Sequence, residues 1–253
     1  MNTIEDLIIA HRGESFDAPE NTLASIQLAW QRRVKAVEID IHLSKDNEIV
    51  VIHDFDTKRI SGKKLKIKNS SLKELKDLDA GSHKSMKWKN ERIPTLREIL
   101  NTIPANCKLI IEIKSGPDIL PKLKQELDHS NLIHTQIEVI AFNLITLAKA
   151  KQLMPEYKML WLLDLDYFWP WWLLQINNQK IIEKVKKLNL DGVNIWAGKF
   201  LTPNFISEFK AAGLKVYSWT IDSPLKAKSL IEAGIDGITT NRASWIIERI
   251  QEN

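Results

Sequence analysis

His11-Arg12-Gly13 lies near the N-terminus, and Glu38-Ile39-Asp40 runs on to His53-Asp54. These strings offer two imidazoles, a guanidinium and two carboxylates spaced two residues apart. Residues two apart on a strand point to one face, so Glu38 and Asp40 share a side. Glu112 and Lys114 repeat that spacing further along. Carboxylates gathered on an inner face are costly to bury unless something neutralises them. A buried ion-pair network would use Arg12 and Lys114 as counter-charges. A metal site would use Glu38, Asp40 and Glu112 as oxygen ligands for one hard divalent cation, Mg²⁺ or Ca²⁺. Zinc fits less well, because its sites usually hold more His or Cys. His11 and His53 favour the metal reading, since two imidazoles near a metal-bound phosphate can accept and donate protons. Arg12 adds a two-pronged donor for phosphate oxygens, and Gly13 permits positive φ or a close backbone approach.

Such residues work only if the elements carrying them converge. Short β-rich runs fall at 7–10, 37–43, 109–114, 137–142, 159–163, 192–195, 216–219 and 237–240. Helical stretches follow them at 23–33, 96–102, 119–127, 144–154, 181–188, 204–212, 225–233 and 245–250. Asn21 or Thr22 is placed to cap the first. Alternating β and α units imply parallel strands with helical crossovers, and eight of them in this length predict an α/β fold, a (β/α)8 TIM barrel. An open doubly wound sheet is the alternative, but no GxGxxG turn follows the first run. Barrel active sites lie at the C-terminal ends of the strands, which is where His11 falls. Ile39, Ile41, Ile111 and Ile113, on the opposite faces, read as packing toward the helices.

One run breaks the rhythm. Residues 48–53 follow the second strand after only Ser44-Lys45-Asp46-Asn47, too short a link for a parallel crossover. It predicts a β-hairpin at the barrel mouth. With the turn centred on Asp46-Asn47, Leu43 pairs with Val50 and Asp40 with His53. Residues from about 55 to 94 then form a small insertion after the second strand, and 1–253 reads as a single barrel domain. The insertion holds a helix-like stretch at 71–78 and the basic piece 63–68. Those lysines are either a solvated face or a device for steering an anionic substrate.

The chain carries 36 basic and 32 acidic residues, a weak excess that gives no ground for a nucleic-acid partner. A lone cysteine, Cys107, allows no intrachain disulfide. Glu5 and Asp6 stand where a signal peptide would be basic, and no uncharged apolar stretch is long enough to span a membrane. A cytoplasmic location is the expectation. The aromatic patch at 167–174 has two readings. It could make peripheral contact with a lipid surface or hold a quaternary ammonium, or it could fold into a small core of its own. His42 reads as rim, and His83, His129 and His134 as surface. Nothing in the chain assigns an oligomeric state.

The motifs together resemble the glycerophosphodiester phosphodiesterase family. The resemblance rests on His11-Arg12-Gly13, Pro19-Glu20-Asn21-Thr22, Val37-Glu38-Ile39-Asp40, Ile52-His53-Asp54 and Ile93-Pro94-Thr95-Leu96. It continues through Ile111-Glu112-Ile113-Lys114, Ser218-Trp219-Thr220 and Gly234-Ile235-Asp236-Gly237-Ile238, in the family's order from residue 8 to about 242. It implies hydrolysis of a glycerophosphodiester to an alcohol and sn-glycerol 3-phosphate on a TIM barrel. By motif match it implies Glu38, Asp40 and Glu112 as metal ligands and His11 and His53 as the acid–base pair. It implies Arg12 and Lys114 as phosphate contacts, Trp219 as a pocket wall, and Glu20 as second shell or helix cap. Where many relatives carry a small polar pair before a phenylalanine, this chain has Ile140-Ala141-Phe142-Asn143; Phe142 keeps the aromatic substrate contact. Lysophospholipase D or sphingomyelinase-D-like activity on the same scaffold is the enzymatic alternative. A catalytically silent phosphodiester-binding protein is the other, and would be expected to lack part of the metal–histidine set.

Overall fold

The computed structural model describes residues 3–166 and 177–252. The aromatic patch at 167–174 lies outside them. The strands are β1 (Ile8–His11), β2 (Ala36–Leu43), β3 (Ile49–Val51), β4 (Lys108–Ile113), β5 (Ile137–Ala141), β6 (Lys158–Leu163), β7 (Gly192–Trp196), β8 (Lys215–Trp219) and β9 (Gly237–Thr240). Parallel pairing runs from β2 through β4 to β9, and β9 and β2 both pair with β1. Eight strands therefore close a ring, and β3 lies outside it, antiparallel to β2. This is the expected TIM barrel.

The helices are α1 (Ile4–Leu7), α2 (Leu23–Gln31), α3 (Lys58–Ser61), α4 (Leu72–Lys76), α5 (Leu96–Leu100), α6 (Leu120–Asp128), α7 (Leu144–Leu153), α8 (Asn178–Lys187), α9 (Pro203–Ala211), α10 (Pro224–Glu232) and α11 (Ala243–Gln251). Side chains of Thr22, Thr95, Asn143, Asn177, Thr202 and Ser223 accept hydrogen bonds from their helices' first turns. Each satisfies an N–H that the helix cannot, which sets where the βα loops end. Leu7 belongs to α1, so β1 begins one residue later than the sequence suggests. No described helix is long and apolar enough to cross a membrane.

Strand alternation sorts the side chains. Ile39, Ile41, Ile111 and Ile113 join the large core between barrel and helices, as expected. Ile9, Ala36, Ile110, Ile140, Leu160, Leu162 and Tyr217 fill the barrel interior. Glu38, Asp40 and Glu112 share the inward parity but stand further along their strands, toward the mouth.

The hairpin forms, with a register one residue from the expected one. Ile41 pairs with Val51, His42 with Val50 and Leu43 with Ile49, and Ile52 N–H donates to the Asp40 carbonyl at 3.0 Å. Asp40 is therefore not opposite His53. Ser44 N–H closes onto the Glu48 carbonyl around three residues, Lys45-Asp46-Asn47, and Asn47 sits at φ 59°. Asparagine tolerates that left-handed conformation, which lengthens the turn by one residue.

β3 serves two cores. Ile49 and Val51 point into the large one; Val50 and Ile52 point into a smaller one with Ile60, Ile67, Leu75, Leu78, Ala80 and Ile93. The segment between β3 and α5 thus packs its own apolar cluster over the hairpin, and Ser71 caps α4 as the helix-like stretch required. His53 leaves the hairpin from this doubly anchored strand.

Candidate active site

Parallel register brings the acids together. Asp40 pairs with Glu112, and His11 with Glu38. One carboxylate oxygen from each of Glu38, Asp40 and Glu112 lies within 4.8 Å of the others, and all three residues are buried. Glu38 Oε1 and Asp40 Oδ1 have no hydrogen-bond partner. Burial, then Asp40 and Glu112, push Glu38 well above the usual carboxyl range. Burial and Asp40 likewise raise Glu112 to about 7. Burial works against charge on Asp40 as well, but Arg12 and Lys114 outweigh it and hold its pKa at about 2. Three acids at this spacing, with orphaned oxygens, are an arrangement that a divalent cation would relieve. The donor set, all carboxylate oxygen, fits a hard ion.

The turn after β1 supplies one of the two cations, Arg12, and much of the scaffolding. Arg12 adopts φ 57° and Gly13 φ 81°. A side chain at Gly13 would place its Cβ 2.6 Å from the Ser25 backbone carbon, so only glycine fits. Arg12 N–H donates to Glu38 Oε2 at 3.0 Å, and its guanidinium reaches Asp40 Oδ2 at 3.1 Å and Glu20 Oε1 at 2.9 Å. Lys114 Nζ lies 2.8 Å from Glu112 Oε1 and 3.6 Å from Asp40 Oδ1. The ion-pair reading and the metal reading are therefore both partly visible. The two internal cations do not satisfy every acid oxygen.

Both imidazoles are oriented through Nδ1. His11 Nδ1 lies 2.7 Å from Asn241 Oδ1. The Asn241 amide nitrogen donates to Asp222 Oδ2 at 2.7 Å, and a carboxylate can only accept, so its oxygen faces His11. His11 then carries its proton on Nδ1 and presents Nε2 toward Glu38, 3.9 Å away. Burial and Arg12 lower its pKa to about 4. His53 Nδ1 lies 2.7 Å from Asp54 Oδ1. Burial, more than any charge, lowers the His53 pKa.

Aromatic side chains line one side. Phe142 meets Trp219 edge-on with ring centroids 5.6 Å apart, and Lys114 Nζ lies 5.9 Å from the Phe142 ring. Trp196 packs edge-on against Trp219 at 4.9 Å.

Several participants escaped the sequence reading. Asn21 does not cap α2; Thr22 does. Asn21, at φ 57°, instead donates to Asp40 Oδ2 at 2.8 Å and accepts from Asp40 N–H. Arg59, at the start of the inserted segment, binds Glu20 through both terminal nitrogens and Asp54 through Nε at 2.7 Å. It links the group holding Arg12 to the group orienting His53. Asn241, Asp222 and Trp196 also went unmarked, because amides, lone acids and tryptophans on separate loops carry no spacing signal. His42 is buried rather than at the rim: its Nε2 lies 3.1 Å from the His53 carbonyl oxygen, and its ring meets Phe55 edge-on. His83, His129 and His134 are exposed, as expected.

The buried carboxylates of Glu38, Asp40 and Glu112 lie within reach of one ion, with the His11 and His53 imidazoles at the mouth of the same TIM barrel. Residues 11–244 match the glycerophosphoryl diester phosphodiesterase family, and the chain belongs to it. A glycerophosphodiester phosphodiesterase of Caldanaerobacter subterraneus is 31% identical over 98% of this chain and 99% of its own length. An Oleispira antarctica phosphodiesterase, solved in complex with the product sn-glycerol-3-phosphate, superposes with a TM-score of 0.85. It is 31% identical, and the match covers 98% of this chain and 97% of that one. A Thermotoga maritima glycerophosphodiester phosphodiesterase shares the fold, with a TM-score of 0.78 at 23% identity, over 96% of this chain and 97% of that one.

Proposed function

We propose that this protein hydrolyses glycerophosphodiesters to an alcohol and sn-glycerol 3-phosphate, with His11 and His53 exchanging the protons. The observation that carries the reading is the orphaned acid cluster beneath two imidazoles that both lend Nδ1 to a fixed acceptor and leave Nε2 for chemistry. Glu38, Asp40 and Glu112 would hold a divalent cation, Mg²⁺ or Ca²⁺, which when bound supplies a Lewis acid for a phosphoryl oxygen. Arg12 and Lys114 face the same space and offset charge that develops on the phosphorane-like transition state. One imidazole takes the proton of the attacking hydroxyl, either water or the substrate's own glycerol 2-hydroxyl; the second route gives a cyclic phosphate first, which water then opens to sn-glycerol 3-phosphate. The other gives a proton to the departing alkoxide, so the ester P–O bond breaks without releasing a strong base. Phe142 and Trp219 wall the glycerol side.

The test is product analysis on a panel of glycerophosphodiesters and lysophospholipids, with and without added Mg²⁺ or Ca²⁺. We expect sn-glycerol 3-phosphate and free alcohol from the diesters only when the cation is present. Hydrolysis in excess chelator would refute the metal assignment. Preferential cleavage of lysophospholipids would move the protein to the lysophospholipase D reading.

A further inference from the structure

The chain's positive charge sits in one place. Residues 55–94, the inserted segment, hold 12 lysines and arginines against 5 acids, a formal +7, while the rest of the chain holds 24 against 27, a formal −3. Local packing turns these lysines outward. Ile67 is buried in the small core and Leu65 packs against it, so the alternating Lys64, Lys66 and Lys68 are exposed. Lys87 and Lys89 flank half-buried Trp88 and are exposed too. Lys66, Lys68 and Lys89 form no ion pair with any described residue. Exposed apolar side chains gather at the same end of the barrel. Nine of the described large hydrophobic residues are exposed. Ile133, just before β5, and Leu153, closing α7, lie toward the N-terminal ends of the strands. The other seven follow the C-terminal ends, on the side of the mouth. Phe142 and Trp196 belong to the aromatic side of the site. Phe16, Phe55, Met86, Ile145 and Leu225 do not, and are 52% to 83% exposed. Lys84 ties the inserted segment down beside Phe16, its Nζ donating to the Ser15 carbonyl at 2.8 Å.

Single exposed apolar residues are ordinary on any surface. Their crowding at one end, together with the charge, is not. A second copy of the chain would set like charge against like. A nucleic acid would pair with the lysines but leave Met86, Ile145 and Leu225 in water. An anionic bilayer uses both features: its phosphates attract the ammonium groups, and the boundary of its acyl chains takes up apolar tips. We propose that the mouth end of the barrel docks on an anionic lipid surface, with the inserted segment supplying the charge and Phe55 and Met86 as its apolar anchors. Docked in this way, the chain turns its catalytic mouth toward the lipid headgroups and its floor toward water.

The experiment is co-sedimentation of the full chain with vesicles of phosphatidylglycerol and phosphatidylcholine in equal parts, and with vesicles of phosphatidylcholine alone. We expect binding to the mixed vesicles, little to phosphatidylcholine, and weakening by added salt as the surface charge is screened. Lys66→Gln/Lys68→Gln, at exposed positions that leave Ile67 in place, should lower the partition coefficient at least tenfold, since each ammonium near such a surface contributes roughly fivefold. Lys186→Gln/Lys187→Gln removes the same charge from exposed positions at the end of α8, on the floor side, and should leave binding within twofold. Phe55→Ser/Met86→Ser keeps every charge and should lower partitioning about tenfold. Equal losses from the two lysine pairs would overturn the proposal, because attraction would then depend on net charge and not on orientation. So would binding that ignores phosphatidylglycerol, or a serine pair with no effect. Tight binding of a short DNA duplex, lost in the Lys66/Lys68 pair and intact in the serine pair, would give the face to nucleic acid instead. Vesicle binding is read without turnover, so its outcome is independent of the hydrolytic reading.

Discussion

The barrel buries carboxylates at two levels, and they are treated differently. Glu138, on β5, is buried near the N-terminal ends of the strands, with Lys158 Nζ at 2.6 Å and Lys108 Nζ at 3.9 Å. Both lysines open neighbouring strands, so one acid faces two cations. At the mouth, Glu38, Asp40 and Glu112 share Arg12 and Lys114, and Arg12 also serves Glu20. Each level leaves an acid oxygen without a hydrogen bond, so an orphaned oxygen alone is not diagnostic. What differs is the balance of charge. The floor has cations to spare, and folding has closed it as an ion-pair cluster. The mouth keeps an excess of acid that burial makes costly, which is the condition under which a bound cation contributes most.

That contrast breaks or holds on mutation. The largest effect is expected from Glu112→Ala, which should abolish dependence on added divalent cation and remove nearly all turnover in steady-state assays. Glu138→Gln, equally buried, should leave kcat and KM within twofold and cost about 1 kcal/mol in urea unfolding, because its lysine partners are part-exposed. Comparable kinetic losses from both would erase the distinction.

Next in size are the two imidazoles proposed to carry protons. His11→Ala and His53→Ala should each lower kcat by about 10² to 10⁴. Asn241→Ala should cost about tenfold in kcat with KM little changed, since it frees the His11 ring without touching substrate. Partial restoration by Asn241→Gln, which keeps an amide acceptor, would support that role, and a loss confined to KM would overturn it. The His11 Nδ1–H tautomer should be visible in ¹⁵N spectra of wild type and blurred in the variant.

The smallest expected effect concerns Arg59. Burial opposes ionisation of Glu20, but Arg59 and Arg12 overcome it and hold its pKa at about 2, below its ordinary 4.5; Asp54 is likewise held at about 2. Depressed carboxylate pKa values stabilise the fold above the unfolded-state value, and that stabilisation is lost as pH falls through the folded one. The thermal midpoint should therefore decline between about pH 4.5 and 2, and Arg59→Ala should flatten the decline. An unchanged profile in the variant would show that Arg59 does not couple the inserted segment to the barrel.

Much of this was legible in the chain. The eight β runs of the sequence fall on the eight barrel strands to within one or two residues, because Val- and Ile-rich runs bounded by capping residues carry local signals. Strand parity alone put Glu38 and Asp40 on one face and Ile39 and Ile41 on the other. The hairpin was legible but its register was not: whether Asn47 enters the left-handed region is a choice of a single φ angle, and it moves every cross-strand pair by one. The aromatic patch at 167–174 falls outside the described residues.

By itself, then, the sequence determined the barrel, its inward acids and the imidazoles at the strand ends, all of which follow from periodicity and residue type. Tertiary structure alone decided which partner each group has. Asn241 reaches His11 across 230 positions, and Arg59 joins Glu20 to Asp54 across the inserted segment. Those contacts depend on ring closure bringing β9 beside β1 and on the small core seating α3 over the mouth. No local pattern encodes either, because the energy that enforces them is the burial of side chains that are distant along the chain.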